Sequence, residues 1–406
     1  MFKFDFGVVS PTPAFVIAMV TDPAELCLPQ ENEEGEVTVQ NTTLQDDEPV
    51  SETSATAAAR YRTIQLEELL EKLPPTISFS EMDLPFDTTG CKLFRRDLYD
   101  ARFQVIDELD DEEENADAKA ESARDEQNTA EYVNADTDLI PGTYEGGLKT
   151  WEGGMDLVEV LEEQHKKITG GIGSWVKGKR VLEVGCGTGL PSVYLLRRLL
   201  ELPAGASAIT ELHLQDYNIS VLQLVTLPNL ILASISEETL AEMDSNLELT
   251  HEVIQEFQEK LKLHNIKLSF SCGDWSGFAE VLQSSDGKKE TLYNLVLTAE
   301  TIYRLESVPS LLRVLKYASR RDDTNAMKAQ GGNDTADVAS ALDGLTLQMA
   351  WERDEDVILV AAKILYFGVG GGMQDFTYSV ERNQGTVESV RTWSFGVGRQ
   401  VVRLHW

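Results

Sequence analysis

The sequence predicts an α/β protein whose core is a mostly parallel sheet covered by helices on both faces, and three observations carry that prediction. From about Tyr132 onward, short apolar runs alternate with helix-length amphipathic stretches, the pattern that parallel strands joined by crossover helices require. One run, Arg180-Val-Leu-Glu-Val184, leads straight into Gly185-Cys-Gly-Thr-Gly189 and then Leu190-Pro191, where proline suits a first helical turn. Later runs end in acidic residues about one β-α unit apart, so their tips can share a crevice.

Along the chain, Phe2, Phe4 and Phe6 alternate with polar neighbours and read as a short extended arm. Residues 28–60, rich in Glu, Thr, Asp, Ser and Ala, bury too little apolar area to offset an ordering cost of roughly 1 to 2 kcal/mol per residue. They are expected to be disordered, as is the acidic stretch 107–128 with its Asp110-Asp-Glu-Glu-Glu114 run. Between them, residues 60–106 carry Leu66, Leu69, Leu70, Ile77, Phe79, Phe86, Phe94, Leu98 and Phe103, enough to dock on a larger domain. The expected organisation is an N-terminal extension over 1–131 and a main domain over 132–406. Strands are expected at 180–184, 210–214, 267–271, 292–297 and 357–362, with an antiparallel pair at 386–395 and 400–404 joined through Gly396 and Gly398. Seven strands in this arrangement make a Rossmann-like sheet. Residues 237–264 read as one helix from the near-3.6 spacing of Leu240, Met243, Leu247, Val253, Ile254, Phe257 and Leu261, and residues 317–341 read as a surface loop.

Composition narrows the partners. With 69 acidic against 35 basic residues and a formal charge of -34, the chain gains no long-range attraction to a phosphate backbone and shows no basic patch, which excludes direct nucleic-acid binding. A basic protein partner fits the charge, and solubilising acidic segments are the plainer reading of it. Cys27, Cys91, Cys186 and Cys272 lie far apart, and neither they nor the five histidines show metal-ligand spacing. The apolar run 14–20 follows Pro11 and Pro13 and does not read as a signal core. No stretch approaches the roughly 18 to 20 apolar residues of a membrane span. A soluble, intracellular protein without metal or membrane contact is expected.

The glycine segment reads Glu-x-Gly-x-Gly-x-Gly, not the Gly-x-Gly-x-x-Gly of a pyrophosphate site. Glu183 and the backbone amides of Gly185, Gly187 and Gly189 suit an ammonium and a carboxylate, which points to S-adenosylmethionine (SAM), a donor with no phosphate. The second strand ends in His213-Leu-Gln-Asp216-Tyr-Asn218, where Asp216 can accept from both ribose hydroxyls or serve as a turn former or helix cap. After the third strand, in Ser271-Cys-Gly273-Asp274-Trp275, Asp274 can accept from an adenine amino group and Trp275 can offer an apolar face; an Asx turn with a core Trp is the alternative. The fourth strand ends in Leu297-Thr298-Ala-Glu300-Thr-Ile-Tyr303 beside the point where strand order reverses. Glu300 and Tyr303 there either flank the methyl group or start a helix and pack. The segment from Ala362 to Gly372 looks like a phosphate loop but lacks the Gly-Lys-Ser/Thr ending, and its position makes it a lip over the target. Gly173-Ser-Trp-Val-Lys-Gly178-Lys179 imitates a nucleotide loop but precedes a strand and is followed by Arg180, so it is set aside.

Together, Tyr144-Glu-Gly-Gly-Leu-Lys-Thr-Trp151-Glu152, Val181-Leu-Glu-Val-Gly-Cys-Gly-Thr-Gly189, Gln215-Asp-Tyr-Asn218, Gly273-Asp-Trp275, Thr298-Ala-Glu-Thr-Ile-Tyr303 and Tyr366-Phe-Gly-Val-Gly-Gly-Gly372 form a distinctive set. The chain thereby resembles the protein-histidine N-methyltransferases that modify a histidine of a large-subunit ribosomal protein. The resemblance covers about Tyr144 to Trp406 and, more weakly, the Phe-rich amino terminus and Leu93-Phe-Arg-Arg-Asp-Leu98. It implies a SAM-dependent methyltransferase, methylation at the tele nitrogen (Nε2), and a cytoplasmic and nuclear setting. It also implies that Trp151, Glu152, the glycine loop, Asp216, Tyr217, Asn218, Gly273, Asp274, Trp275 and Thr298 hold SAM. Gly153 departs from the family, which usually places Cys after Trp-Glu, and is expected to line the donor pocket. A carboxylate accepting from the acceptor's Nδ1–H would leave the Nε2 lone pair facing the methyl group; Glu300 is the candidate, with Tyr303 orienting the ring. Two other readings stand beside this one. A lysine methyltransferase on the same fold is one, since several carry Asp-x-x-Tyr where this chain has Glu300-Thr-Ile-Tyr303. An inactive fold that docks on a ribosomal protein is the other.

Overall fold

The computed structural model describes residues 60–97, 147–205, 208–284, 292–319, 347–348, 350–353, 355–366 and 370–406. The Phe-rich arm, residues 28–59, the acidic stretch 107–128 and residues 320–341 lie outside these. In chain order the strands are β1 (Arg62–Ile64), β2 (Thr76–Glu81), β3 (Phe94–Arg96), β4 (Arg180–Val184), β5 (Thr210–Asp216), β6 (Asn246–Glu248), β7 (Ile266–Cys272), β8 (Leu295–Ala299), β9 (Val357–Lys363), β10 (Thr386–Trp393) and β11 (Arg399–His405). Eight of them form one sheet in the order β1-β7-β5-β4-β8-β9-β11-β10. The seven expected strands are all there, and the eighth, β1, comes from the segment expected as an N-terminal extension, pairing antiparallel with β7 through Arg62↔Cys272.

The parallel centre forms because its strands are apolar on both sides. Val181, Leu182 and Val184 of β4 and Leu295, Val296 and Leu297 of β8 are fully buried, as central parallel strands must be. Val181 faces a cluster with Leu157, Leu195, Leu230 and Phe257, brought by helices α1 (Glu152–Lys167), α2 (Leu190–Leu200), α3 (Leu227–Ser234) and α4 (His251–Leu263). Leu182 and Val184 face the opposite cluster, with Phe278, Leu311 and Phe376 from α5 (Trp275–Ser284), α6 (Val308–Ser319) and α7 (Met373–Arg382). Leu69, Ile77, Phe79 and Phe94 of the extension are buried in the first cluster. The chain runs outward from β4 through β5 to β7, then returns to β8 on the other side of β4. The crevice of an open sheet lies at such a reversal, beyond the carboxyl ends of the strands.

Three expectations need correction. Residues 237–264 form two helices, Glu237–Glu242 and α4, separated by β6, which pairs with β2 through Ile77↔Leu247. The first helix ends where Met243 turns extended (φ -85°, ψ 147°), Ser245 then enters the left-handed region at φ 56°, and Thr250 caps the restart by accepting from Val253 N. Leu247 kept the apolar rhythm through the interruption, so periodicity did not register it. The fourth strand runs Leu295–Ala299, later than 292–297; Asn294 leads into it, its N donating to Arg180 O and its O accepting from Val357 N. Residues 317–319 belong to the last turn of α6.

Candidate active site

A cavity of about 640 Å³ opens at the carboxyl ends of β4, β5, β7 and β8. Of the residues expected to hold SAM, it brings together Trp151, Glu183, Gly185, Gly187, Asp216, Tyr217, Asp274 and Trp275, and it adds both residues expected to act on the acceptor, Glu300 and Tyr303. Gly185 sits at φ 61°, and a Cβ there would meet Thr301 Cγ2 at 2.6 Å, so only glycine lets the loop lie against the start of the segment after β8. Asp216 fastens the same loop: its Oδ2 accepts from Gly187 N at 2.8 Å and its Oδ1 from Asn218 N at 3.2 Å. From below, Thr226, in the π-helical turn Leu222–Thr226, donates to Gly187 O at 2.6 Å.

Glu183 lines the cavity with its carboxylate against the start of α2, where Oε2 accepts from Ser192 N at 2.9 Å and from the Ser192 hydroxyl. Burial pushes its carboxyl up to about 7, against the lowering pull of the Ser192 bonds. A cationic ligand beside it would reverse that shift by favouring the ionised form. Asp274 Oδ1 accepts from Gly277 N at 2.9 Å, capping the start of α5 where an Asx turn was the alternative expected, and the residue still borders the cavity.

The facing wall is built from the tips of β8 and β9. Glu300 occupies the left-handed region at φ 57°, rare for a residue with a side chain, and its backbone N donates to Ala361 O at 2.9 Å. Its Oε1 accepts from Gly153 N at 3.0 Å, in the first turn of α1, and its Oε2 accepts from the Tyr366 hydroxyl at 2.5 Å. Burial raises the Glu300 carboxyl above the usual range, while Tyr366, the Lys363 charge and Gly153 N hold it back. Tyr303 and Tyr366 meet edge-on with ring centres 6.3 Å apart. Lys149 and Lys363 lie over the Trp151 ring at 4.5 and 4.9 Å.

Other expected residues sit outside the cavity lining. Thr298 is fully buried beneath it, donating to Val184 O and sharing a hydrogen bond with Thr301, which clamps β8 to β4. Gly273 turns its back on the cavity: at φ 102°, a Cβ would meet Arg60 O at 2.5 Å, so this glycine makes room for the lead-in to β1. Gly189 is the N-cap of α2, packed against Thr226 and Leu214. Asn218 supports Asp216 through its backbone, and Glu152 lies at the margin, 3.9 Å from Lys363. Gly153, expected in the donor pocket, instead abuts Glu300; a Cβ there would crowd Glu300 Oε1 at 2.9 Å.

Sequence reasoning missed Gln215. Fully buried, it accepts at Oε1 from Gly185 N (3.3 Å) and Trp275 Nε1 (2.9 Å), and its Nε2 donates to Asp216 O and Gly273 O, each at 3.0 Å. One amide thus ties together the tips of β4, β5 and β7. The available signal was a polar residue inside a buried apolar strand, which must be satisfied there. Lys149 and Arg304 were also missed as lining residues, while Lys363, Leu365 and Tyr366 line the cavity from the segment expected as a lip.

No family model matches the chain. It is 27% identical over 346 residues to histidine protein methyltransferase 1 of Schizosaccharomyces pombe, an alignment covering 83% of each protein. The Saccharomyces cerevisiae protein of that name is 27% identical, over 76% of this chain and 73% of its own length. The Bos taurus homologue is 31% identical, over 66% of this chain and 57% of its own length. The chain is thus similar to histidine protein methyltransferases over most of its length. Solved structures such as the magnesium protoporphyrin IX methyltransferase of Synechocystis PCC 6803 with bound SAH (TM-score 0.29, 11% identity, covering 61% of this chain and 84% of that one) are too distant to bear on the argument.

SAM, the methyl donor of such an enzyme, fits the residues present. The glycine loop leaves its floor clear of side chains, while Glu183, Asp216 and Asp274 supply acceptors for ammonium, hydroxyl and amino donors. Among the described residues, no group of three or more His, Cys, Asp or Glu is arranged to hold a metal, and no helix is long and apolar enough to cross a membrane.

Proposed function

We propose that this chain methylates the tele nitrogen (Nε2) of a histidine in a large-subunit ribosomal protein, in the cytoplasm and nucleus where such proteins are made and assembled. The observation that carries the reading is the shared cavity: the glycine loop with Asp216 on one wall and Glu300, Tyr303 and Tyr366 on the other. Trp151, Glu183, Asp216, Tyr217, Asp274 and Trp275 hold SAM directly, with Gly185 and Gly187 as floor. Glu152, Gly189, Asn218, Gly273 and Thr298 support them from outside the lining. A main domain with a docked N-terminal extension presents this cavity, and the acidic segments favour a basic substrate.

Bound SAM supplies an electrophilic methyl carbon on a sulfonium. The protein's own task is modest, since a neutral imidazole nitrogen is already a competent nucleophile. Glu300, fixed by Gly153 N and Tyr366, retains lone pairs to accept from the acceptor's Nδ1–H, which selects the tautomer with a free Nε2. As the ring gains its methyl group, with the sulfur leaving as a neutral thioether, it becomes cationic; the same carboxylate stabilises that charge until the Nδ1 proton is lost. Tyr303 packs against the ring and sets its plane.

Fragment mass spectrometry of the product made with SAM and large-subunit proteins tests this. Methyl on histidine Nε2 is expected. Methyl on lysine would replace the reading with the lysine alternative, and SAM binding without transfer would replace it with a docking module.

A further inference from the structure

The mouth of the cavity carries an apolar rim that the fold does not need. Phe395, in the turn between β10 and β11, is 96% exposed, and Ile364, Leu365, Val397 and Leu305 are each between 43% and 50% exposed. Exposed apolar side chains that gather at one place mark interaction surfaces, whereas scattered ones need no explanation. These gather: Leu365 and Val397 line the cavity itself, and Leu305 lies between two lining residues, Arg304 and Glu306.

The rim is also held in place. Ile364 N donates to Gly398 O at 2.8 Å, joining the segment after β9 to the hairpin turn. At one foot of the turn Trp393 Nε1 donates to Glu159, and at the other Arg399 pairs with Asp156 at 2.7 Å. The turn therefore presents Phe395 on a fixed support, which lowers the ordering cost of binding through it.

We propose that this rim is the docking surface for the polypeptide substrate, which lays an apolar side chain against Phe395 while its acceptor residue enters the cavity. The inference rests on the protein-methylation reading above. Continuity with the cavity selects this occupant. A small acceptor would need only the cavity, whereas a polypeptide inserting one side chain must lay its neighbours across the residues that surround the mouth.

The test compares Phe395→Ser and Phe395→Leu with the wild-type chain on two acceptors: the protein fraction of large ribosomal subunits and N-acetyl-histidine methylamide, which is too short to reach the rim. Phe395→Ser is expected to lower kcat/KM for the protein acceptor roughly ten-fold or more, with Phe395→Leu largely restoring it. SAM affinity, melting temperature and the rate on the small acceptor should stay at the wild-type value. Equal loss on both acceptors, no loss on either, or a dimer that dissociates in Phe395→Ser would overturn the proposal. If the wild-type chain methylates a residue other than histidine, the functional reading falls, and the same comparison with the matching N-acetyl amino-acid methylamide as small acceptor still judges the rim. If it methylates nothing, both fall.

Discussion

The two walls of the cavity are held by different means. On the donor side, backbone amides at Gly185 and Gly187, the carboxylate of Asp216 and the buried amide of Gln215 satisfy one another, and the loop conformation is one that glycine adopts without strain. On the acceptor side, Glu300 is strained, its carboxylate is drawn across 147 residues of sequence to Gly153 N, and the wall ends in an exposed apolar rim. The difference suits the proposed division of labour. A constant cofactor rewards a rigid, self-satisfied cradle, while the proposed acceptor side chain would have to be admitted, turned to one tautomer and released.

That contrast breaks most readily at Glu300. Glu300→Gln keeps an acceptor for Gly153 N but removes the charge, and kcat is expected to fall roughly 100-fold or more while SAM affinity holds. Undiminished turnover would remove Glu300 from the chemistry. Gln215→Leu strands two donors and two carbonyls in the interior; a loss of about 3 kcal/mol in denaturant unfolding, together with weakened SAM binding, is expected. Asp216→Asn should weaken SAM by about ten-fold or more in titration calorimetry. Gly273→Ala sharpens the picture further: placed against Arg60 O, it should cost about 1 to 3 kcal/mol of stability by displacing β1, with SAM affinity little changed. The smallest effect concerns pH. Because the Glu183 carboxyl lies near 7 and its ionised form favours a cation, SAM affinity should loosen as pH falls through about 7, by no more than about ten-fold per pH unit. A flat profile would show that Glu183 does not face the ammonium.

Much of this was legible because the signals were local. A buried apolar strand ending in a glycine turn needs only nearest neighbours to be recognised, so β4 fell on its expected bounds and Asp216 and Asp274 on the expected tips. Glu300 and Tyr303 fell in the cavity lining because strand order implies which tip lies at the reversal. What stayed hidden depended on distant partners. Gly273 and Thr298 lie outside the cavity lining for reasons no local signal gives: Arg60 passes behind Gly273, and the clamp of Thr298 to Val184 O is a tertiary fact. Gln215 lay next to Asp216 in a recognised motif, yet its reach to Gly185 and Trp275 exists only once three strands are aligned. The same is true of Gly153, whose missing side chain is explained by a carboxylate far along the sequence.

The central claim is that donor binding and acceptor activation reside on separate walls. Measuring SAM dissociation constants and kcat side by side for Asp216→Asn and Glu300→Gln tests it most directly. The account predicts a weakened SAM constant in the first with kcat at saturation largely kept, and an unchanged constant with collapsed kcat in the second. Two variants that lose both quantities in the same proportion would contradict it.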